Sequence, residues 1–372
     1  MGRFEVNAWN TLSAEQRQAW GRLRAASDAY ASPFFDPAFL DAVAAARPDL
    51  EALFVRNARG RICAALAFHR DGLGGLIPAA GPLSDWNGFV AAPGTRVDVE
   101  AALVAARAHA LRLSAAAPAD PALSGARWTG DLSHLIDLRE GAAAYEAAQS
   151  HHAPKPFRNL RHRERRARAQ FGEVRVQADD RSPQALAALI AWKQDQYRRT
   201  GQFDVFAPDW TRELVERLFQ TRTEGFNGRL STLWFGDRLA AVHFGMQSGA
   251  RLHWWFPVYD PELAAFSPGL LLLLGVVRCV DELGVDAIDL GPGDYRFKRD
   301  LANATLPMAV KTVCRRSLLG RARAAAHAVK RRLPSLPERA LRRAYRTWTF
   351  KVSPGVRAHL ISLLPALELM AV

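Results

Sequence analysis

The stretch Gly291-Pro-Gly-Asp294 ends four residues before Lys298, so a carboxylate and an ammonium stand one helical turn apart behind two glycines. Glycines let a ligand come close to backbone, and Asp294 can hold an amine or take its proton. The same spelling also serves an ordinary turn, with Asp294 capping a short helix and Lys298 as its surface partner. His243 and His253 fall on neighbouring strand patterns, where a histidine acts as a base only if it faces a cleft. Tyr259 ends the second of these strands and is the best acid candidate. Alternation puts His253, Trp255 and Tyr259 on one face and Trp254, Phe256 and Val258 on the other. One of the two adjacent indoles then lines a cleft or an interface. Ser267-Pro268-Gly269 reads as a helix start: a capping side chain, a first-turn proline, and a glycine that leaves backbone open to an anion. The three cysteines, Cys63, Cys279 and Cys314, lie far apart without ligand spacing. Neither a metal site nor a disulfide framework is expected, and a reducing cytosol fits.

These residues need a sheet to hold them. Strand patterns run from Leu230 to Phe235, Leu239 to Met246 and Leu252 to Tyr259, with turns at Gly236-Asp237 and Ser248-Gly249, which makes an antiparallel meander. An apolar helix follows from Ser267 to Leu283, stopped by Gly284; then come a buried strand (287–290), a helical turn (294–301) and a last strand (308–314). Upstream, a strand at 173–177 and a long helix from Pro183 to Arg199, capped by Ser182, precede the meander. The order predicts a mixed sheet of α/β or α+β type. Before it, Ser13-Ala-Glu-Gln16 spells a capping box, Asp36-Pro37 opens a second helix, strands run at 52–55 and 62–68, and 103–113 reads as a helix. The small, proline-bearing segment 114–125 is the best linker. Three parts result: 1–125, 126–315 and a basic helical tail, 316–372.

Charge is the unusual bulk property. The 372 residues carry 50 Lys plus Arg against 37 Asp plus Glu, a formal net charge of +13. Two segments hold the excess. Arg315 to Lys351 has twelve basic residues against Glu338 alone, and Lys155 to Arg168 has seven against Glu164 alone. Such patches suit phosphates, anionic lipid or nucleic acid. For the segment 157–172 nucleic acid is the weaker reading, because no aromatic residues interleave with its arginines as stacking platforms. The tail, with narrow apolar stripes and Trp348, fits docking on the body or lying on an anionic membrane face. The longest apolar run, Leu270 to Val277, is too short to span a bilayer, and the first ten residues lack a secretory h-region. A cytoplasmic protein, peripheral at most, is expected.

Four segments in order resemble the GNAT acyltransferase superfamily, in its CelD-type branch related to FemAB transferases. They are FRNLRHRERRARAQFG (157–172), WKQDQYRRTGQF (192–203), the run from Leu239 to Leu273, and IDLGPGDYRFKRDLAN (288–303). More weakly, SPFFDPAFLDAV (32–43) and LSDWNGF (83–89) resemble the leading half of such proteins. The resemblance implies two tandem GNAT-like domains, the first degenerate. It also implies an N-acyltransferase that moves an acetyl or other acyl group from acyl-CoA to an amino group. The acceptor would be a sugar or lipid-linked sugar precursor in exopolysaccharide or cellulose biosynthesis. Backbone at Phe256, Pro257 and Val258 would polarise the thioester carbonyl, and Ser267, Pro268 and Gly269 would hold the pyrophosphate. Trp255, Gly293 and Tyr197 would meet the acceptor. Lys298, Asp294, Tyr259 and His253 would do the chemistry.

Two departures stand out. The pyrophosphate loop, Asp260-Pro-Glu-Leu-Ala-Ala-Phe-Ser-Pro-Gly269, has one glycine, two prolines and two carboxylates, and Phe297 stands where relatives carry Tyr. Two rival readings follow: a FemAB-like transferase using aminoacyl-tRNA, and a non-catalytic assembly factor of a polysaccharide synthase.

Overall fold

In the computed structural model, which describes residues 3–72, 74–118, 120–123 and 129–317, thirteen strands share one sheet. The first half runs β1 (Arg3–Ala8), α1 (Ala14–Ala25), α2 (Pro37–Ala46), β2 (Glu51–Arg56), β3 (Ile62–Arg70), β4 (Gly75–Pro78), β5 (Val90–Ala91), α3 (Val99–Ala105) and β6 (Ala110–Ala116). The second half runs β7 (Thr129–Asp137), α4 (Ala142–His152), α5 (Pro154–Phe171), β8 (Val174–Asp180), α6 (Pro183–Thr200), α7 (Asp209–Gln220), β9 (Phe226–Phe235), β10 (Arg238–Ser248) and β11 (Arg251–Tyr259). It continues with α8 (Pro268–Val277), α9 (Val280–Leu283), β12 (Ala287–Pro292), α10 (Arg296–Leu301) and β13 (Ala304–Cys314).

The spatial order is β1-β2-β3-β4-β6-β13-β7-β12-β11-β10-β9-β8, with β5 beside β3. Read inward from either edge, the pattern is the same. Four antiparallel strands lead to one parallel step, β4 with β6 or β11 with β12, reached through a crossover helix. The innermost strand of each half comes from elsewhere in the chain. β13, last in sequence, pairs with β6, while β7 pairs with β12, and the two pair antiparallel with each other. The mixed α/β sheet is therefore a tandem repeat joined through its centre.

Helices α1, α2, α6 and α7 cover one face over a common core that runs from Trp9, Trp20 and Phe54 to Phe206, Phe244 and Met308. Burial of these large side chains at about 25 cal/mol per Å2 ties the halves together. Helices α4, α5 and α8 cover the opposite face over the second half, and α3 covers it over the first.

Several local expectations are met atom by atom. Ser13 and Gln16 make both bonds of a capping box, and the Ser182 side chain accepts from Ala185 N. Others are corrected. The run 103–113 is the end of α3 and the start of β6, turned at Arg107 in a left-handed conformation; its Ala, Leu and Val suit either period. The linker segment begins as strand, and its Asp120 is buried. Strand β1 and helix α7 were not expected, and the apolar helix breaks into α8 and α9 at Arg278-Cys279. The basic tail from Leu318 lies outside the described residues.

Candidate active site between diverging strands

The parallel pairing of β11 with β12 lasts three residues, Arg251 to His253 against Ala287 to Asp289. Beyond His253 the strands part, and β12 turns toward β7. A bulge forms at the same level on the other edge of β11. Phe244 faces Phe256 and Met246 faces His253, so Trp254 and Trp255 together oppose Gly245. Gly245 is required there, since a Cβ would lie 2.2 Å from His253 O and 2.7 Å from the His243 ring. The bulge resets the alternation. Trp255, Phe256 and Val258 all join the core under α6 and α7, while Trp254 faces the α8 side, so strict alternation along β11 is overturned. Trp255 stacks on Phe256 at 4.4 Å and donates from Nε1 to Leu83 O at 3.1 Å.

His253 sits where the strands separate and is completely buried. Its Nε2 lies 2.9 Å from Asp85 Oδ2, and its Nδ1 forms a longer ion pair, 3.6 Å, with Asp289 Oδ2. Asp289 accepts further bonds from Ser133 Oγ (2.5 Å), Gly291 N (2.9 Å) and Trp86 Nε1 (2.8 Å). Burial works against charge on the imidazole, but the bonds and fields of Asp289 and Asp85 outweigh it and hold the pKa up at about 9. Burial likewise opposes charge on Asp289, and His253, Ser133 and Gly291 bring its pKa down to about 2. The group is thus an imidazolium between two carboxylates. Gly291 belongs to it sterically: at φ +74° it is left-handed, and a Cβ would meet Asp85 Oδ2 at 3.1 Å.

Lys298 closes this turn from α10. It is only 6% exposed, and its Nζ donates to Gly291 O at 3.0 Å and Pro292 O at 2.7 Å. Burial lowers its pKa, countered by Asp85, Asp289 and Asp131. The surface-pair reading fails, because the partner of Asp294 is Arg299. Asp294 does not cap α10 either; Tyr295 occupies that position without a side-chain bond.

At the open end of the gap, Tyr259 is 41% exposed and its ring meets the start of α8, 3.5 Å from where a Gly269 Cβ would be. Ser267 adopts a left-handed conformation and does not cap α8; its hydroxyl is bonded by Arg163 from the arginine-rich α5. The two loop carboxylates, Asp260 and Glu262, are both paired with Arg238. The mouth therefore joins a helix N-terminus to a guanidinium, with its nearest acids neutralised, and this suits a phosphate.

Residues 155–299 match the acetyltransferase (GNAT) domain family. The chain carries a GNAT-type acetyltransferase domain. No curated protein matches it in sequence. Among solved structures it is similar to FemX, at 10% identity and TM-score 0.54, over 82% of this chain and 95% of that one. It is also similar to the C-terminal domain of a protein described as a lysylphosphatidylglycerol synthetase from Agrobacterium fabrum. There the identity is 14% and the TM-score 0.50, over 84% of this chain and 97% of that one. A tandem GNAT protein from the clavulanic acid biosynthesis pathway aligns at 15% identity and TM-score 0.48, over 84% and 98%. Likeness at such identities is one of fold. The chain is an N-acyltransferase of GNAT type, and such domains use an acyl-CoA co-substrate.

Within the GNAT domain, the residues singled out from sequence form two groups. In the first, His253 stands where the strands part, and Trp255, Phe256 and Val258 pack into the core beside it with Pro257 between them on β11. Tyr259 meets the start of α8 at Ser267, Pro268 and Gly269, and Lys298 closes the Gly291 turn. Gly293 (φ +103°) continues the turn past Pro292, but Asp294 beside it points outward with its side chain 75% exposed. His243 stacks on Trp254 at 3.5 Å, fully buried with both ring nitrogens unbonded among the described residues, and burial with the nearby His253 charge keeps it neutral. Tyr197 lies on α6 with Lys193 Nζ 5.3 Å over its ring; burial lowers the Lys193 pKa to about 8. Sequence reasoning did not assign Asp85, Trp86, Ser133 or Asp289 to the site. The segments LSDWNGF and IDLGPGD carried three of them unremarked.

Among the described residues no cluster of His, Cys, Asp and Glu could hold a metal ion, and no helix is long and apolar enough to cross a membrane.

Proposed function

We propose that this protein transfers an acyl group, acetyl in the simplest case, from acyl-CoA to the amino group of a sugar or lipid-linked sugar precursor of an exopolysaccharide. The observation that carries the reading is the three-residue parallel pairing that opens beyond His253, with the N-terminus of α8 and Arg163 at its mouth. A thioester lying in that gap would place its pyrophosphate at Ser267 to Gly269 and its carbonyl beside β11. The N–H groups of Phe256 and Val258 are spent on β10 in the antiparallel ladder and Pro257 has none, so the backbone donor that would meet the carbonyl oxygen from this edge is Tyr259 N–H. Lys298 spends two N–H groups on Gly291 and Pro292 and keeps a third for developing oxyanion charge. The neutral amine attacks the carbonyl carbon, and Tyr259 returns a proton to the departing thiolate.

An acceptor can approach from the groove between the halves. A cavity of about 720 Å3 there is bounded by Arg24, Ser32, Trp86, Arg251 and Asp289. Arg24 Nε, Arg251 Nε and Ser32 Oγ are buried donors with no hydrogen-bond partner among the described residues. Unpaired donors of this kind suit a phosphorylated, hydroxyl-rich acceptor.

Calorimetric titration with acetyl-CoA tests the donor: saturable one-to-one binding is expected, and its absence refutes the reading. The exposed arginines of α5, Arg158, Arg161 and Arg165, favour one rival, transfer from aminoacyl-tRNA. Binding of charged tRNA without acetyl-CoA binding would establish it, and binding of neither would point to an assembly factor. The basic tail would hold the enzyme at an anionic membrane face.

A further inference from the structure

We infer that Asp85, carried by the first half of the sheet, takes the proton from the acceptor amine at the site in the second half, with His253 as the positioning residue that holds its carboxylate. The inference rests on the amine-acylation reading. The family match begins at residue 155 and does not include Asp85. The residue nonetheless reaches 168 positions along the chain to bond His253 with one oxygen, and its side chain keeps 31% of its surface open.

Four other candidate bases are disqualified by their surroundings. His253 is already protonated, gripped on both sides, and has no exposed atom. His243 is sealed against Trp254. Asp294 is turned to solvent and paired with Arg299. Asp289 is completely buried, with its oxygens taken by Ser133, Gly291 and Trp86. Asp85 alone among them combines a fixed carboxylate with an open edge, beside the Gly291 turn that Lys298 closes.

Charged groups on two elements act with Asp85, His253 on β11 and Lys298 on α10, and Asp289 on β12 shares His253 with it. Asp131 and His134 on β7 lie within the field of Lys298. The Asp85 carboxylate attracts an ammonium. The step balances as follows. The ammonium gives one proton to Asp85; its freed lone pair forms the C–N bond as the C–S bond breaks. The second nitrogen proton leaves with the thiolate as free thiol, and Asp85 passes its proton to solvent across its exposed edge.

The test follows thiol release from acetyl-CoA with glucosamine as the amine probe, across pH, in wild type and in Asp85→Asn, Asp85→Glu and His253→Gln. Acetyl-CoA affinity and melting temperature are measured in parallel. Asp85→Asn should lose on the order of 100-fold in kcat/KM near neutral pH with unchanged acetyl-CoA affinity. That loss should shrink above the pKa of the amine, where solution supplies the free base. Asp85→Glu should recover part of the rate, and His253→Gln should move the acidic limb of the profile upward. An Asp85→Asn enzyme within three-fold of wild type across the profile overturns the assignment. So does a loss that is the same at every pH. A wild type that binds acetyl-CoA but shows no amine-dependent release overturns the acylation reading itself, and with it this role. Without any acceptor, the 15N resonances of the His253 ring should titrate at lower pH in Asp85→Asn; an unchanged titration would detach His253 from Asp85.

Discussion

The protonation of His253 can be read from stability alone. The carboxylates around it hold its pKa at about 9 when folded, against the 6.5 of an ordinary histidine. A group that binds its proton more tightly in the folded state adds stability that is complete below 6.5 and is lost as pH rises through 9. That interval corresponds to about 3 kcal/mol, since the ring is fully buried and solvent screens little of it. For a protein of this size, about 2 °C per kcal/mol gives roughly 6 °C in melting temperature. The perturbation is His253→Gln, and the assay is thermal unfolding at constant ionic strength from pH 6 to pH 9.5. Wild type should melt about 6 °C above the variant at pH 6, and the two curves should converge by pH 9.5. Lys193, whose pKa burial lowers to about 8, acts in the opposite sense at alkaline pH, but it is common to both proteins and cancels. A gap that stays constant across the range would mean that the ring is neutral throughout, and the charged triad would be wrong.

Three further outcomes are expected. Gly269→Glu should weaken acetyl-CoA binding at unchanged folding, because it sets a carboxylate at the start of α8 beside the thioester gap; unaltered affinity by calorimetry would move the pyrophosphate site elsewhere. Lys298→Met should lower turnover about 100-fold. It should also cost about 1–3 kcal/mol of stability, because Gly291 O and Pro292 O lose their buried donor; turnover within a few-fold of wild type would confine Lys298 to holding the turn. Truncation after Arg316 should abolish salt-sensitive binding to anionic liposomes and leave the fold intact, and a full-length protein that ignores such liposomes at low salt would refute the membrane role.

What could be read from the sequence was local. Turns at Gly236-Asp237 and Ser248-Gly249 delimit the meander, and the cap at Ser182 and the glycine after α5 mark helix ends through bonds within a few residues. Long-range pairing was not legible. Nothing in RFEVNA shows that it will find Ala52 to Arg56, and the alternating pattern of β11 conceals a bulge that exists only because Gly245 lies across from Trp254 and Trp255. The partners of His253 lie 168 residues before it and 36 after it, so neither could be inferred from spacing.

The loop that carries Asp85 also explains why the first half lacks a gap of its own. Its parallel pairing, β4 with β6, is shorter still, only Gly75 and Leu76 against Ala110 and Leu111. Beyond it, the edge of β6 is taken by Asn87, whose backbone N–H bonds Ala115 O while its side chain bonds Ser114 through both amide atoms. Asp120 then fixes Phe89 N, and the left-handed Gly88 leaves room for that carboxylate, which a Cβ would strike at 2.3 Å. The segment from Leu83 to Phe89 thus closes one opening with its second part. With its first part it furnishes the other opening, through Leu83 to Trp255, Asp85 to His253 and Trp86 to Asp289. A half that had merely lost a binding gap could fill it with any apolar side chain. Filling it with a polar loop whose other end bonds a buried charge across the molecule ties the two halves chemically, so removing the first half would strip His253 of a counter-ion. Loss of amine-dependent turnover on Asn87→Leu, with acetyl-CoA affinity retained, would show that the plug acts by holding Asp85 in place. Unchanged turnover would show that Asp85 is held by His253 alone.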